Sequence, residues 1–163
     1  GAAVPPGRTT MAIMQKILVP IDGTEYSWRA LEYAAGLASL SGGSLYVVTV
    51  VTEEGGSPSG SAPLRSREEQ DADDGDETTV MQIGNDVLNA AQALLGSHPS
   101  LDCNYILMRD EDVAAAILEA VSVNGCDTIV LGCRAKSLFQ QLLRRSVSQS
   151  VLEEAGVPVL LVK

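Results

Sequence analysis

Residues 16–51 read KILVPIDGTEYSWRALEYAAGLASLSGGSLYVVTVV, and this stretch decides the fold. Lys16 to Ile21 is a short β-prone apolar run. From Thr24 to Ser41 the apolar positions Trp28, Leu31, Ala34, Ala35 and Ala38 recur at helical spacing. Gly42 and Gly43 stand where a helix terminator belongs. Ser44 to Val51 then gives a continuous β-branched run, the pattern of a strand covered on both faces. Strand, helix and a second strand of this kind make a β-α-β unit with parallel strands.

The same alternation continues outward. Val80, Ile83, Val87, Leu88, Ala91, Leu94 and Leu95 trace a second helical stripe, Asn104 to Met108 a third strand, and Val113 to Val123 a third helix. Thr128 to Leu131 reads as the fourth strand, Ser146 to Ala155 as the fourth helix and Val157 to Val162 as the fifth strand. This order predicts an α/β fold in three layers, a five-stranded parallel sheet with helices on both sides. Ligands of such sheets sit at the carboxyl ends of the strands, where the strand order reverses. Functional residues are therefore expected just after Ile21, Val51, Met108 and Leu131.

The 163 residues fit one domain, which at this length buries about 70% of the surface its unfolded chain would expose. No apolar run approaches the length of a membrane span. The opening GAAVPPGRTT has no periodicity, and its leading Gly reads as the remnant of a trimmed tag, so residues 1–13 are set aside as such a remnant or a disordered N-terminus and the domain is taken as 14–163. Cys103, Cys126 and Cys133 are odd in number and lack ligand spacing, which points to a reducing, cytoplasmic setting. With His98 as the single histidine, placed in a loop beside Pro99, multi-histidine metal sites and Ser-His-Asp chemistry are disfavoured.

The net charge is −10, but it is not evenly spread. Nine acidic residues between Glu53 and Glu77 face only Arg65 and Arg67, which leaves −7 there and −3 elsewhere. The stretch is also rich in Gly, Ser and Pro, so residues 53–77 are expected to form a mobile acidic loop, suited to a protein partner. An acidic chain of this kind is not expected to bind nucleic acid.

Two loops at strand ends carry the candidate chemistry. At Asp22-Gly23-Thr24 a carboxylate emerges after the first strand, either to meet a ligand or, with Thr24, to satisfy free amides of the helix that follows. After the fourth strand, Gly132 to Gln149 holds Arg134, Lys136, Arg144 and Arg145, four of the eleven basic residues, and no acid. It leads into a helix opened by Ser146 and Gln149 at capping-box spacing, where amides and dipole favour an anion. The competing reading is a solvated basic face with Ser146 as a simple cap.

Three ordered motifs now bear on the family: KILVPIDGTE from Lys16, AAAIL from Ala114 running on to CDTIVLG at Gly132, and SVSQSVLEEAGVPVLLV from Ser146. Together they resemble the universal stress protein family, the UspA-like proteins, over Met14 to Lys163. The resemblance implies a Rossmann-like fold of the adenine nucleotide alpha hydrolase-like kind, and a homodimer formed through the last strand, Val157 to Val162. It also implies ATP or AMP bound through G-x2-G-x9-G-[ST] after the fourth strand, with Mg only if ATP binds. Here the glycine positions read Gly132, Ala135 and Arg145, followed by Ser146. Asp22 matches the acid that meets the ribose or base edge, Val50 the apolar residue lining the adenine pocket, and Val147 and Ser148 the contacts after Ser146. Glu111 and Val113 stand where the family commonly has Gly and Pro.

Two functions from different classes follow. One is a regulatory module that binds an adenine nucleotide or related phosphate ligand, with Arg134 in the basic loop and Arg145 supplying a guanidinium that grips phosphate bidentately. The other is a dimeric interaction protein that binds no nucleotide, with Arg145 filling the phosphate pocket. Catalysis is expected to be a weak ATPase at most, since neither a P-loop nor a histidine base is present. Asp110 to Asp112 reads as the start of the third helix.

Overall fold

The computed structural model describes residues 13–53, 76–133 and 146–163. Strands β1 (Lys16–Pro20), β2 (Ser44–Val51), β3 (Asp102–Arg109), β4 (Thr128–Gly132) and β5 (Val159–Val162) form one sheet in the order β3-β2-β1-β4-β5. Every adjacent pair is parallel. Helices α1 (Glu25–Ser41), α2 (Asp76–Leu94), α3 (Val113–Asn124) and α4 (Val147–Glu154) alternate with the strands. The five-stranded parallel α/β architecture is the one the sequence predicts.

The two faces of the sheet bury separate clusters. Ile17, Val19, Leu45, Val47 and Val130 pack with α1 and α2 through Ala30, Leu31, Ala34, Leu88 and Ala91. Leu18, Val48, Val50, Ile129 and Leu131 pack with α3 and α4 through Ala116, Ile117, Ala120 and Val151. Ile17, Leu18 and Val19 are each 0% exposed, because β1 is central and apolar on both faces. At about 1.5–3 kcal/mol per fully buried aliphatic side chain, β1 anchors both clusters.

Element ends follow local chemistry. Gly42 and Gly125 terminate α1 and α3 in the left-handed conformation, with φ of 72° and 65°. Strand β3 runs two residues earlier and one later than Asn104 to Met108, because its pairing with β2 extends from Ser44↔Asp102 to Val51↔Arg109. Strand β5 begins at Val159, later than expected; Pro158 has no N–H to give, though its carbonyl accepts from Ile129 N–H at 2.9 Å.

At the amino ends of the strands, Asp127 joins β1 to β4. Its carboxylate accepts the backbone N–H groups of Gln15 at 2.9 Å and Lys16 at 3.2 Å, and its own N–H donates to the Lys16 carbonyl at 2.9 Å. The hydroxyl of Thr128 donates to the other carboxylate oxygen at 2.9 Å. These bonds fix the register Ile17↔Thr128 from outside the ladder. Asp127→Ala should therefore lower unfolding free energy by about 1.5–3 kcal/mol in urea denaturation, the range for hydrogen bonds to a charged group.

Candidate functional site

Strand order reverses between β1 and β4, so the crevice of the sheet lies outside their carboxyl ends. Pro20 opens it. Ile21 N–H donates to the Val48 carbonyl at 2.8 Å, so alternate residues of β1 face β2 and the position of Pro20 faces β4. Proline offers no N–H there. Pairing of β1 with β2 accordingly runs to Pro20↔Val48, whereas pairing with β4 stops at Leu18↔Ile129. The proline in KILVPI was a signal for this parting that a reading of the run as uniform strand passes over.

The loop leaving β1 is built around Asp22. One carboxylate oxygen accepts the N–H of Thr24 at 2.9 Å and its hydroxyl at 2.6 Å. Gly23 between them takes φ of 85°, a conformation costly for other residues. Thr24 in turn caps α1, its hydroxyl oxygen accepting Ser27 N–H at 3.3 Å, while the Ser27 hydroxyl donates to the Thr24 carbonyl at 2.8 Å. Of the two roles weighed for this loop, these bonds show the structural one: Thr24 is the cap and Asp22 holds the cap in place.

A second loop of the same design follows β3. Asp110 accepts Asp112 N–H at 2.9 Å, and Asp112 caps α3 by accepting Ala115 N–H at 3.0 Å. Asp110 to Asp112 therefore starts the third helix, as read from the sequence. Glu111 accepts the backbone N–H of Glu53 at 2.7 Å, and Arg109 donates to the Glu53 carboxylate at 2.6 Å, so β2 and β3 are also tied where they end.

Ser146 caps α4, accepting Gln149 N–H at 3.0 Å. The reciprocal half of a capping box is not made, because the Gln149 side chain donates to Glu153 at 3.2 Å instead. Val147 packs, half-buried, against the cluster that contains Val50, which is itself 4% exposed. Ser148 is half-buried in the first turn of α4. Gly132 ends β4 opposite Val162, and Cys133 N–H continues the ladder to the Val162 carbonyl at 2.8 Å. Asp22, Val50, Gly132, Ser146, Val147 and Ser148 thus all lie at carboxyl strand ends or on the helix following β4. Arg134, Ala135, Lys136, Arg144 and Arg145 lie outside the described residues.

A model of the universal stress protein family matches residues 14–163. The chain belongs to the universal stress protein family. It is similar to a solved universal stress protein family member from Burkholderia pseudomallei, at 25% identity and TM-score 0.65, over 92% of this chain and 97% of that one. A universal stress protein solved in complex with cAMP is 20% identical, with TM-score 0.62 over 91% and 95% of the two chains. One from Archaeoglobus fulgidus in complex with dAMP is 21% identical, with TM-score 0.60 over 94% and 100%. These last two share the fold.

The remaining reactive groups of the universal stress protein chain stand elsewhere. Cys103 and Cys126 lie at the amino ends of β3 and β4, and His98 closes the short turn after α2, also on that side. Burial pushes the Cys126 thiol up to about 11, with Asp127 adding to the rise against Lys16, and burial likewise pushes the Tyr105 phenol to about 12. Neither is an activated nucleophile. Among the described residues no helix is long and apolar enough to cross a membrane.

Two outcomes follow. Thr24→Ala removes the α1 cap and should cost about 1 kcal/mol by denaturation. The pH dependence follows from Cys126: its thiol ionises near 9 when unfolded and near 11 when folded, so the unfolded chain loses the proton first. Stability should fall as pH rises from 9 to 11, and Cys126→Ala should flatten that fall in denaturation curves taken across this interval.

Proposed function

We propose that the protein is a regulatory module that binds an adenine nucleotide or a related phosphate compound where β1 and β4 part. The observation that carries this reading is the family match over 14–163 taken with the crevice that Pro20 leaves between the two strands, flanked by Asp22 and by the capped start of α4. The relatives solved with cAMP and dAMP support the ligand class.

In this reading Asp22 meets the ribose or base edge, and Val50 supplies apolar floor for the base. The first-turn amides of α4 at Val147 and Ser148, with the hydroxyls of Ser146 and Ser148, meet phosphate. Arg134 and Arg145 complete the anion site, and Mg enters only with ATP. The chemistry of the donor set fits such a ligand: hydroxyls and amides at a helix start suit an anion, and an apolar wall suits a base. Strand β5 forms an edge whose Val159 to Val162 are half-buried, which supports a homodimer paired through that strand. Of the stretch 53–77 expected as a loop, Glu53 is held by Arg109 and Asp76 and Glu77 instead open α2, while 54–75 lie outside the described residues; the stretch is assigned to a protein partner.

One observation favours the second reading, an interaction protein that binds no nucleotide. The Asp22 carboxylate already serves its own loop through two hydrogen bonds. Isothermal titration with AMP and with ATP separates the two. Heat saturating below millimolar ligand, with phosphate release at background, is expected; no heat from either nucleotide up to millimolar concentration would refute binding. Ser148→Ala should weaken AMP about tenfold, the loss of one hydrogen bond to a charged group.

A further inference from the structure

Gly132 stands directly under the first turn of α1. A β-carbon placed on it would lie inside contact distance of the Tyr26 carbonyl oxygen, 2.6 Å from the Tyr26 carbonyl carbon and 2.9 Å from the Ser27 nitrogen. All three are backbone atoms, so no side chain can rotate away and the helix itself would have to retreat by on the order of 1 Å. The strand below cannot yield easily either, since Gly132 pairs with Val162 and Cys133 bonds the Val162 carbonyl.

The turn above is linked without a break to Asp22. Tyr26 and Ser27 belong to the turn capped by Thr24, Trp28 N–H bonds the Thr24 carbonyl at 3.1 Å, and Thr24 is held by the Asp22 carboxylate. A displacement at Tyr26 is therefore passed through Thr24 to the Asp22 loop.

We infer that Gly132 is glycine so that the first turn of α1 can rest on the end of β4, and that through this contact it is a positioning residue for Asp22. This assigns Gly132 to helix packing, not to close approach of a phosphate. The part that concerns a ligand rests on the binding reading above.

The two roles separate with Gly132→Ala and two probes, adenosine and AMP. With no ligand present, the variant is expected to unfold at lower urea than the unsubstituted chain, and its amide shifts should concentrate at residues 22–28. Adenosine and AMP should then weaken by the same factor, about tenfold to hundredfold, as expected when a hydrogen bond to the Asp22 carboxylate is misplaced. A variant that is unchanged without ligand, or that weakens AMP alone, would overturn the inference. Should Gly132→Ala not fold, the unsubstituted chain decides the contact: a nuclear Overhauser effect between the Gly132 α-protons and the Ser27 amide proton is expected, and its absence overturns the packing. If the unsubstituted chain binds neither probe, the binding reading falls and the positioning role with it, while the stability loss and the shifts at 22–28 still report the packing contact.

Discussion

The parting of β1 from β4 is the constraint on which the rest of the molecule depends. Strand β1 is buried on both faces and must be bonded on both edges, yet it carries a proline at the position that faces β4. The ladder to β4 therefore covers only Ile17↔Thr128 and Leu18↔Ile129, and the Asp127 carboxylate ties the two strands together from their amino ends. The sheet is closed at one end and open at the other. Since the strands are parallel, the open end is also where each of the helices α1 to α4 begins, so caps and crevice share the same residues.

That sharing explains the economy of the loops. Asp22 and Asp110 each accept an amide two residues ahead, and Thr24 and Asp112 each cap the helix that follows. A carboxylate so held has a fixed direction, which suits either a permanent structural brace or a preorganised ligand contact. The reactive groups that could suggest chemistry, Cys126 and Tyr105, are kept neutral by burial and lie away from this edge.

Much of this was legible in the residues. The continuous apolar runs and the 3.6 period in 16–51 gave the β-α-β unit, and the glycine after Ser41 marked a helix end that the structure places in the left-handed region. The capped start of α4 was legible in Ser146, because a cap is a bond between near neighbours. Its reciprocal bond from Gln149 was not, since that side chain had a second acceptor one turn further on in Glu153. The place of β5 at the sheet edge, which the resemblance implied through pairing of the last strand, leaves Val159 to Val162 half-buried.

The sequence by itself determined the class of fold, the order of its elements and the edge of the sheet where a site belongs, because periodicity and caps are written in residues a few positions apart. Only the tertiary structure decided how that edge is shaped. Asp127 reaches Gln15 across 112 positions, and Gly132 meets the backbone of Tyr26 from more than a hundred residues away. Such contacts arise when the sheet brings β1 and β4 side by side. Gly132 could be read from the sequence as part of a phosphate motif; the structure gives it a helix to support.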